Sequence, residues 1–180
     1  MHFINRSLLV LCIAFCTTRP SDDSRPTKEQ VESLLEISFE PSLFGKEEET
    51  LLLTGFRYLP SKLIKEINNG AKKGKPDTNL YKKGKAVCVR VYITNQSSFE
   101  RRLAALIILT KDKNDGELYI EYIVVHPEVR GLSIGTILIE KIVAHYKPSR
   151  IGLSPLASAV AFYLKNGFTP GYMYKKFEYA

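Results

Sequence analysis

The chain of 180 residues has three cysteines, Cys12, Cys16 and Cys88, and no C-x-x-C pair. That excludes the common zinc sites and provides no disulfide framework. Its three histidines, His2, His126 and His145, have no metal-ligand spacing, so no metal is expected. Neither G-x-G-x-x-G nor G-x-x-x-x-G-K-[ST] occurs, which removes the Rossmann and P-loop fingerprints. The apolar run Leu8–Phe15 is too short for a comfortable membrane span. No repeat, low-complexity tract or linker divides the chain, so one domain with a substantial core is expected.

What is present is an ordinary globular composition, 44% hydrophobic and 25% charged, with a basic balance. The formal charge is +7 and the pI about 9.2, which favours anionic partners. Lys72, Lys73, Lys75, Lys82, Lys83 and Lys85 crowd one Gly/Pro/Asn-containing stretch. Only Tyr81 interleaves with them, so the stretch reads as a solvated loop and not as a stacking platform for single strands. At the N-terminus, Arg6 precedes the apolar run, and small residues follow. Residues 1–16 therefore read as a signal peptide, implying export, or as an N-terminal strand, with an anchor as a third reading. Without a signal the chain would be cytoplasmic. Residues 17–180 form the domain.

Periodicity predicts a helix over 28–37, with Thr27 as its cap and Val31, Leu34 and Leu35 on one face. A second helix is expected at about 59–68, entered through Pro60 and ended by Asn68-Asn69-Gly70. Leu51-Leu52-Leu53 has no secure placement. Alternation at Val87, Val89, Val91 and Ile93 predicts a half-buried strand. Leu103–Leu109 is continuously apolar, as in a central strand. Asn114-Asp115-Gly116 marks a hairpin turn before a strand over 118–125. Helices at 133–146 and 156–166 flank a short strand over 150–154, and Gly167 suits a left-handed helix stop. Residues 172–179 close as a strand.

One stretch carries chemistry. Val124-Val125-His126-Pro127-Glu128-Val129-Arg130-Gly131-Leu132-Ser133-Ile134-Gly135-Thr136 reads as strand, turn, glycine-bearing loop and first helical turn. Loop N–H groups and a positive helix end suit a pyrophosphate. Gly131 and Gly135 permit close backbone approach, and Arg130 offers a charged fork.

This stretch resembles motif A of the GNAT superfamily of N-acetyltransferases, [QR]-x-x-G-x-[GA], in Arg130-Gly131-Leu132-Ser133-Ile134-Gly135. Ser133 stands where the family's first core glycine would be. Downstream, Ala159, Phe162, Tyr163, Gly167 and Phe168 are similar to motif B, A-x-x-[FL]-Y-x-x-x-G-F. Leu156 replaces an asparagine frequent in the family. The resemblance covers about residues 85–179 and matches no single subfamily.

The resemblance implies a single α/β (α+β) domain with a mixed, mostly antiparallel central sheet flanked by helices. It also implies transfer of an acetyl group from acetyl-CoA, the cosubstrate, to a primary amine on a small molecule or protein. Val124 and Val125 would pair with the pantetheine arm, and one of their N–H groups would polarise the thioester. Arg130, Gly131, Leu132, Ser133, Ile134, Gly135 and Thr136 would hold the pyrophosphate. Glu117 and Glu121 share a strand face, and either would deprotonate the amine, with Glu121 nearer the expected thioester. Each is otherwise a surface carboxylate. Tyr163 would protonate the leaving thiolate, or is otherwise a core aromatic. A non-catalytic acyl-CoA sensor and a basic polyanion-binding module are the alternative functions; neither a specific nucleic acid nor a stable membrane span is expected.

Overall fold

The computed structural model describes residues 25–40, 42–57, 60–72, 86–94, 100–111, 117–170 and 173–177. Residues 1–16, the strand reading of the N-terminus, the lysine-rich stretch beyond Lys72 and the Asn114-Asp115-Gly116 turn lie outside them. Helix α1 (Lys28–Glu32) is short. Thr27 caps it through a reciprocal box: its hydroxyl accepts from the Gln30 N–H, and Gln30 Oε1 accepts from the Thr27 N–H at 2.8 Å. The single helix expected over 28–37 is therefore wrong in its second half. Leu35–Ser38 forms strand β1 instead, paired antiparallel with the next strand.

Helices α2 (Lys46–Leu53) and α3 (Ser61–Lys72) follow. The leucine run 51–53 is the end of α2, and Leu51 and Leu52 are its buried face. Pro60 accepts the first bond of α3 from Ile64. The expected stop at Asn68-Asn69-Gly70 does not occur. Asn68 instead uses its Oδ1 to accept the Phe44 N–H at 2.6 Å, and the helix continues to Lys72.

Strands β2 (Val87–Thr94), β3 (Arg101–Lys111) and β4 (Leu118–Val125) form an antiparallel meander. Helix α4 (Ile134–Tyr146) crosses to β5 (Arg150–Leu153), which runs parallel to β4. A 3₁₀ turn at Ala157–Ala159 leads into α5 (Val160–Lys165), so the expected 156–166 helix is split. It stops as predicted. Gly167 sits at φ +80°, with Phe168 N–H bonded to Tyr163 O and Gly167 N–H to Leu164 O, the Schellman pattern. Strand β6 (Tyr174–Lys176) closes one six-stranded sheet in the order β1-β2-β3-β4-β5-β6.

Both sheet faces are covered. Val89, Val91, Ile107, Leu109 and Ile120 pack toward α4 and α5 through Ile137, Leu138 and Tyr163. Cys88, Leu106, Ile108 and Val124 pack toward α2 and α3 through Leu52 and Ile67. Strand β2 is thus buried on both sides, not on one. Its even positions include Arg90, only 1% exposed. Arg90 Nε donates to Glu48 Oε1 at 2.5 Å. Its other nitrogens donate to the carbonyls of Cys88, Ser42 and Leu43. This ion pair fastens α2 to the sheet.

Candidate functional site

Strand β4 runs beside β5 only over Leu118–Ile120. On its other side, Ile120 faces Leu109 and Tyr122 faces Ile108. Glu121 is therefore an extra residue, a β-bulge, which bends and over-twists its strand. Beyond it, β4 continues along β3 to Val125 with no β5 partner among the described residues. The sheet is parted there.

The pairing fixes which backbone groups face the gap. His126 N–H donates to Ala104 O at 2.7 Å, and Val125 lies opposite Ala105. In an antiparallel ladder that makes Ala105–Val125 a non-hydrogen-bonded pair. Val125 N–H and C=O thus point away from β3, into the gap, whereas those of Val124 belong to the ladder. Arg130 Nε, the fork predicted for phosphate, donates to Val125 O at 3.1 Å.

The loop after β4 then turns to meet α4. Gly131 has φ +87° and Ser133 φ +59°. Left-handed residues of this kind turn successive N–H groups into a concave surface. Ser133 is the N-cap of α4 without a side-chain cap bond. Among the described residues, none of the N–H groups of Gly131, Leu132, Ser133, Ile134, Gly135 and Thr136 has a protein acceptor. They form an open anion cradle at the positive end of a 13-residue helix. Gly135 has a packing reason as well. A Cβ there would come within 3.1 Å of the Phe162 ring, so the glycine lets α5 close against the loop.

The two candidate bases differ in their partners. Glu117 is ion-paired with Arg150, whose guanidinium lies 5.7 Å from the Tyr174 ring centroid. Glu121, on the bulge, accepts a bond from Thr110 Oγ1 at 2.6 Å. Nearby, Tyr119 and Ser154 hydroxyls meet at 2.6 Å across β4 and β5, and Tyr122 packs edge-on against Phe56. Thr110, Ser154 and Phe56 escaped the sequence reading, because nothing local marks a residue whose importance is set by a bulge on another strand.

Tyr163 is 4% exposed, packed between Phe162 and Phe168 with ring centroids 5.1 and 5.4 Å away. Burial pushes its phenol up to about 12, so it carries its proton at neutral pH. A separate cavity of about 610 Å³ lies between α2 and the start of β3, lined by Glu47, Thr50, Leu103 and His126 among others. None of Glu117, Glu121 or Tyr163 lines it. Among the described residues no group of three His, Cys, Asp or Glu could hold a metal ion, and no helix is long and apolar enough to cross a membrane.

Residues 85–170 match the family model of the acetyltransferase (GNAT) domain. This segment belongs to the GNAT acetyltransferase family. The same fold occurs in a protein from Exiguobacterium sp. 255-15 described as a candidate acetyltransferase. That match has 20% identity, covers 79% of this chain and 93% of that one, and has a TM-score of 0.54. A GNAT-family protein from Desulfovibrio desulfuricans matches with 14% identity, 74% and 86% coverage and a TM-score of 0.52. The PaiA N-acetyltransferase of Thermoplasma acidophilum, solved with coenzyme A, is 18% identical over 79% of this chain and 99% of that one, with a TM-score of 0.47. No curated protein matches the chain.

The GNAT domain explains an otherwise odd residue. Ser133 holds a left-handed backbone conformation, φ +59°, which glycine would adopt without strain. Ser133→Gly is expected to stabilise the fold by about 1 kcal/mol, read from the urea midpoint. A loss of similar size would mean that the serine side chain makes a bond that outweighs its backbone strain. For Tyr163, an unfolded phenol ionises near 10 and the folded one near 12. The unfolded state loses its proton first, so stability should fall as pH rises through that window. Tyr163→Phe should remove about 2–3 kcal/mol of that alkaline loss. Identical slopes of stability against pH between pH 9 and 11 would contradict the burial argument.

Proposed function

We propose that the GNAT domain transfers the acetyl group of acetyl-CoA to a primary amine by direct attack. The observation that carries this reading is the edge of β4 at Val125, which has no strand partner beyond β3 among the described residues and opens beside a loop of amides with no acceptor among them. Both halves suit one ligand: the amides accept a pyrophosphate, and the strand edge accepts an extended amide-bearing arm as though it were another strand. The net charge of +7 draws such an anion in. Arg130 would exchange its bond to Val125 O for the phosphate oxygens, freeing that carbonyl for the arm.

Acetyl-CoA supplies an activated thioester; the chain supplies position and protons. Glu121 takes a proton from the acceptor ammonium. The freed nitrogen lone pair attacks the thioester carbon, and the charge developing on its oxygen is met by the Val125 N–H. The carbon–sulfur bond then breaks, the thiolate takes the proton of Tyr163, and the attacking nitrogen sheds its second proton to solvent, from which the phenol is restored. Glu121 is preferred to Glu117 because the latter is committed to Arg150.

The test is release of free CoA thiol from acetyl-CoA over a panel of primary amines. Amine-dependent release is expected. Binding of acetyl-CoA without release would favour the sensor alternative, and folded protein that neither binds nor reacts would overturn the reading altogether.

A further inference from the structure

We infer that Thr110 is a positioning residue for Glu121, holding the carboxylate of the bulge in one orientation. The inference rests on the acetyl-transfer reading and extends it to a residue outside both motifs. A bulge re-aims the side chain it carries, and Glu121 has no opposite residue in the β3 register to fix it. Thr110, which faces Tyr119 across the ladder, supplies that constraint through its 2.6 Å bond to Glu121 Oε1. A β-branched residue in a strand has few χ1 choices, so its hydroxyl is itself held. A hydroxyl has a single proton to give. It engages Oε1 and leaves Oε2, which accepts no hydrogen bond among the described residues, for the ammonium. Both residues are half-buried, so water competes weakly for the bond. Glu117 is instead tied to the cation of Arg150.

Thr110→Val keeps the shape and strand propensity and removes only the hydroxyl; Thr110→Ser returns it. Each is made alone and together with Glu121→Gln, and CoA release is followed with a competent amine. Thr110→Val is expected to lower kcat about tenfold, as misorientation of a catalytic group does, with the KM for acetyl-CoA unchanged. Thr110→Ser should recover most of the loss. In the Glu121→Gln background, Thr110→Val should add nothing, since the two act as one unit. Full kcat in Thr110→Val, no rescue by serine, or an equal further loss in the double variant would overturn the inference. A wild-type protein inactive with every amine overturns the transfer reading and this role with it. An active wild type with an unaffected Thr110→Val overturns this role alone. Thermal unfolding of each variant separates a misfolded chain from a misaligned one.

Discussion

Glu48→Ala is expected to destabilise the protein by about 3–5 kcal/mol, the usual consequence of leaving a buried charge unpaired. Arg90 lies inside the sheet, 1% exposed, and cannot leave. Glu48 also accepts the Gly45 N–H at 3.0 Å, so the same substitution uncaps α2. Arg90 keeps three carbonyl acceptors, at Cys88, Ser42 and Leu43, which places the loss toward the lower end. Exchanging both residues for apolar ones of similar volume should cost much less, because no orphaned charge remains. The pair also predicts a pH dependence. Burial alone would raise the Glu48 carboxyl, but the Arg90 bond and charge and two backbone N–H groups outweigh it and hold the carboxyl below its ordinary range. A depressed carboxylate stabilises the fold above its unfolded value, near 4.3, and the contribution is lost as pH falls through the folded value. Urea midpoints of wild type and Glu48→Ala should therefore converge at acid pH. Parallel curves would contradict the ion-pair account.

Glu121→Gln is expected to reduce turnover about 10²-fold, at the lower bound for positioned proton transfer. Acetyl-CoA affinity should be retained, because Glu121 lies on β4 ahead of Val125 and outside the amide loop Gly131–Thr136. The loss should be largest at low pH, where the acceptor amine is protonated and its deprotonation limits the rate. Glutamine keeps the bond from Thr110 and removes the basicity, so the fold should survive. Full turnover with an unchanged pH–rate profile would exclude Glu121 and return attention to Glu117. Glu117→Gln should instead loosen Arg150 and act mainly on stability.

Much of the second half of the chain was legible. The Val124–Thr136 stretch displays its strand, loop and helix in residue type, and Gly167 stops α5 in the conformation its chemistry suggests. The first half was harder for specific reasons. Val31, Leu34 and Leu35 have helical spacing, yet β2 recruits Leu35 and Ile37 into a strand only four residues long. Helix α2 begins at a glycine with no side-chain cap, and only Glu48 reaching back to Gly45 marks its start. Arg90 made β2 look half-exposed, because its partner lies 42 residues away. The bulge at Glu121 has no glycine or proline to announce it. The residues it gathers, Thr110 and Phe56 among them, are neighbours only through the register. Motif recognition therefore reached the loop Gly131–Thr136 and its open amides, while the bulge at Glu121 and its bond from Thr110 emerge only from the strand pairing.

Backbone amide hydrogen exchange with and without acetyl-CoA tests the central claim most directly. Val125 N–H and the N–H groups from Gly131 to Thr136 have no acceptor among the described residues and should exchange readily in the free protein. Val124 N–H, already in the β3 ladder, should be slow throughout. Saturating acetyl-CoA should slow Val125 and the loop amides together and leave the α2 groove around Thr50 unchanged. Protection of the α2 groove alone, or no change at Val125 and the loop, would contradict the account.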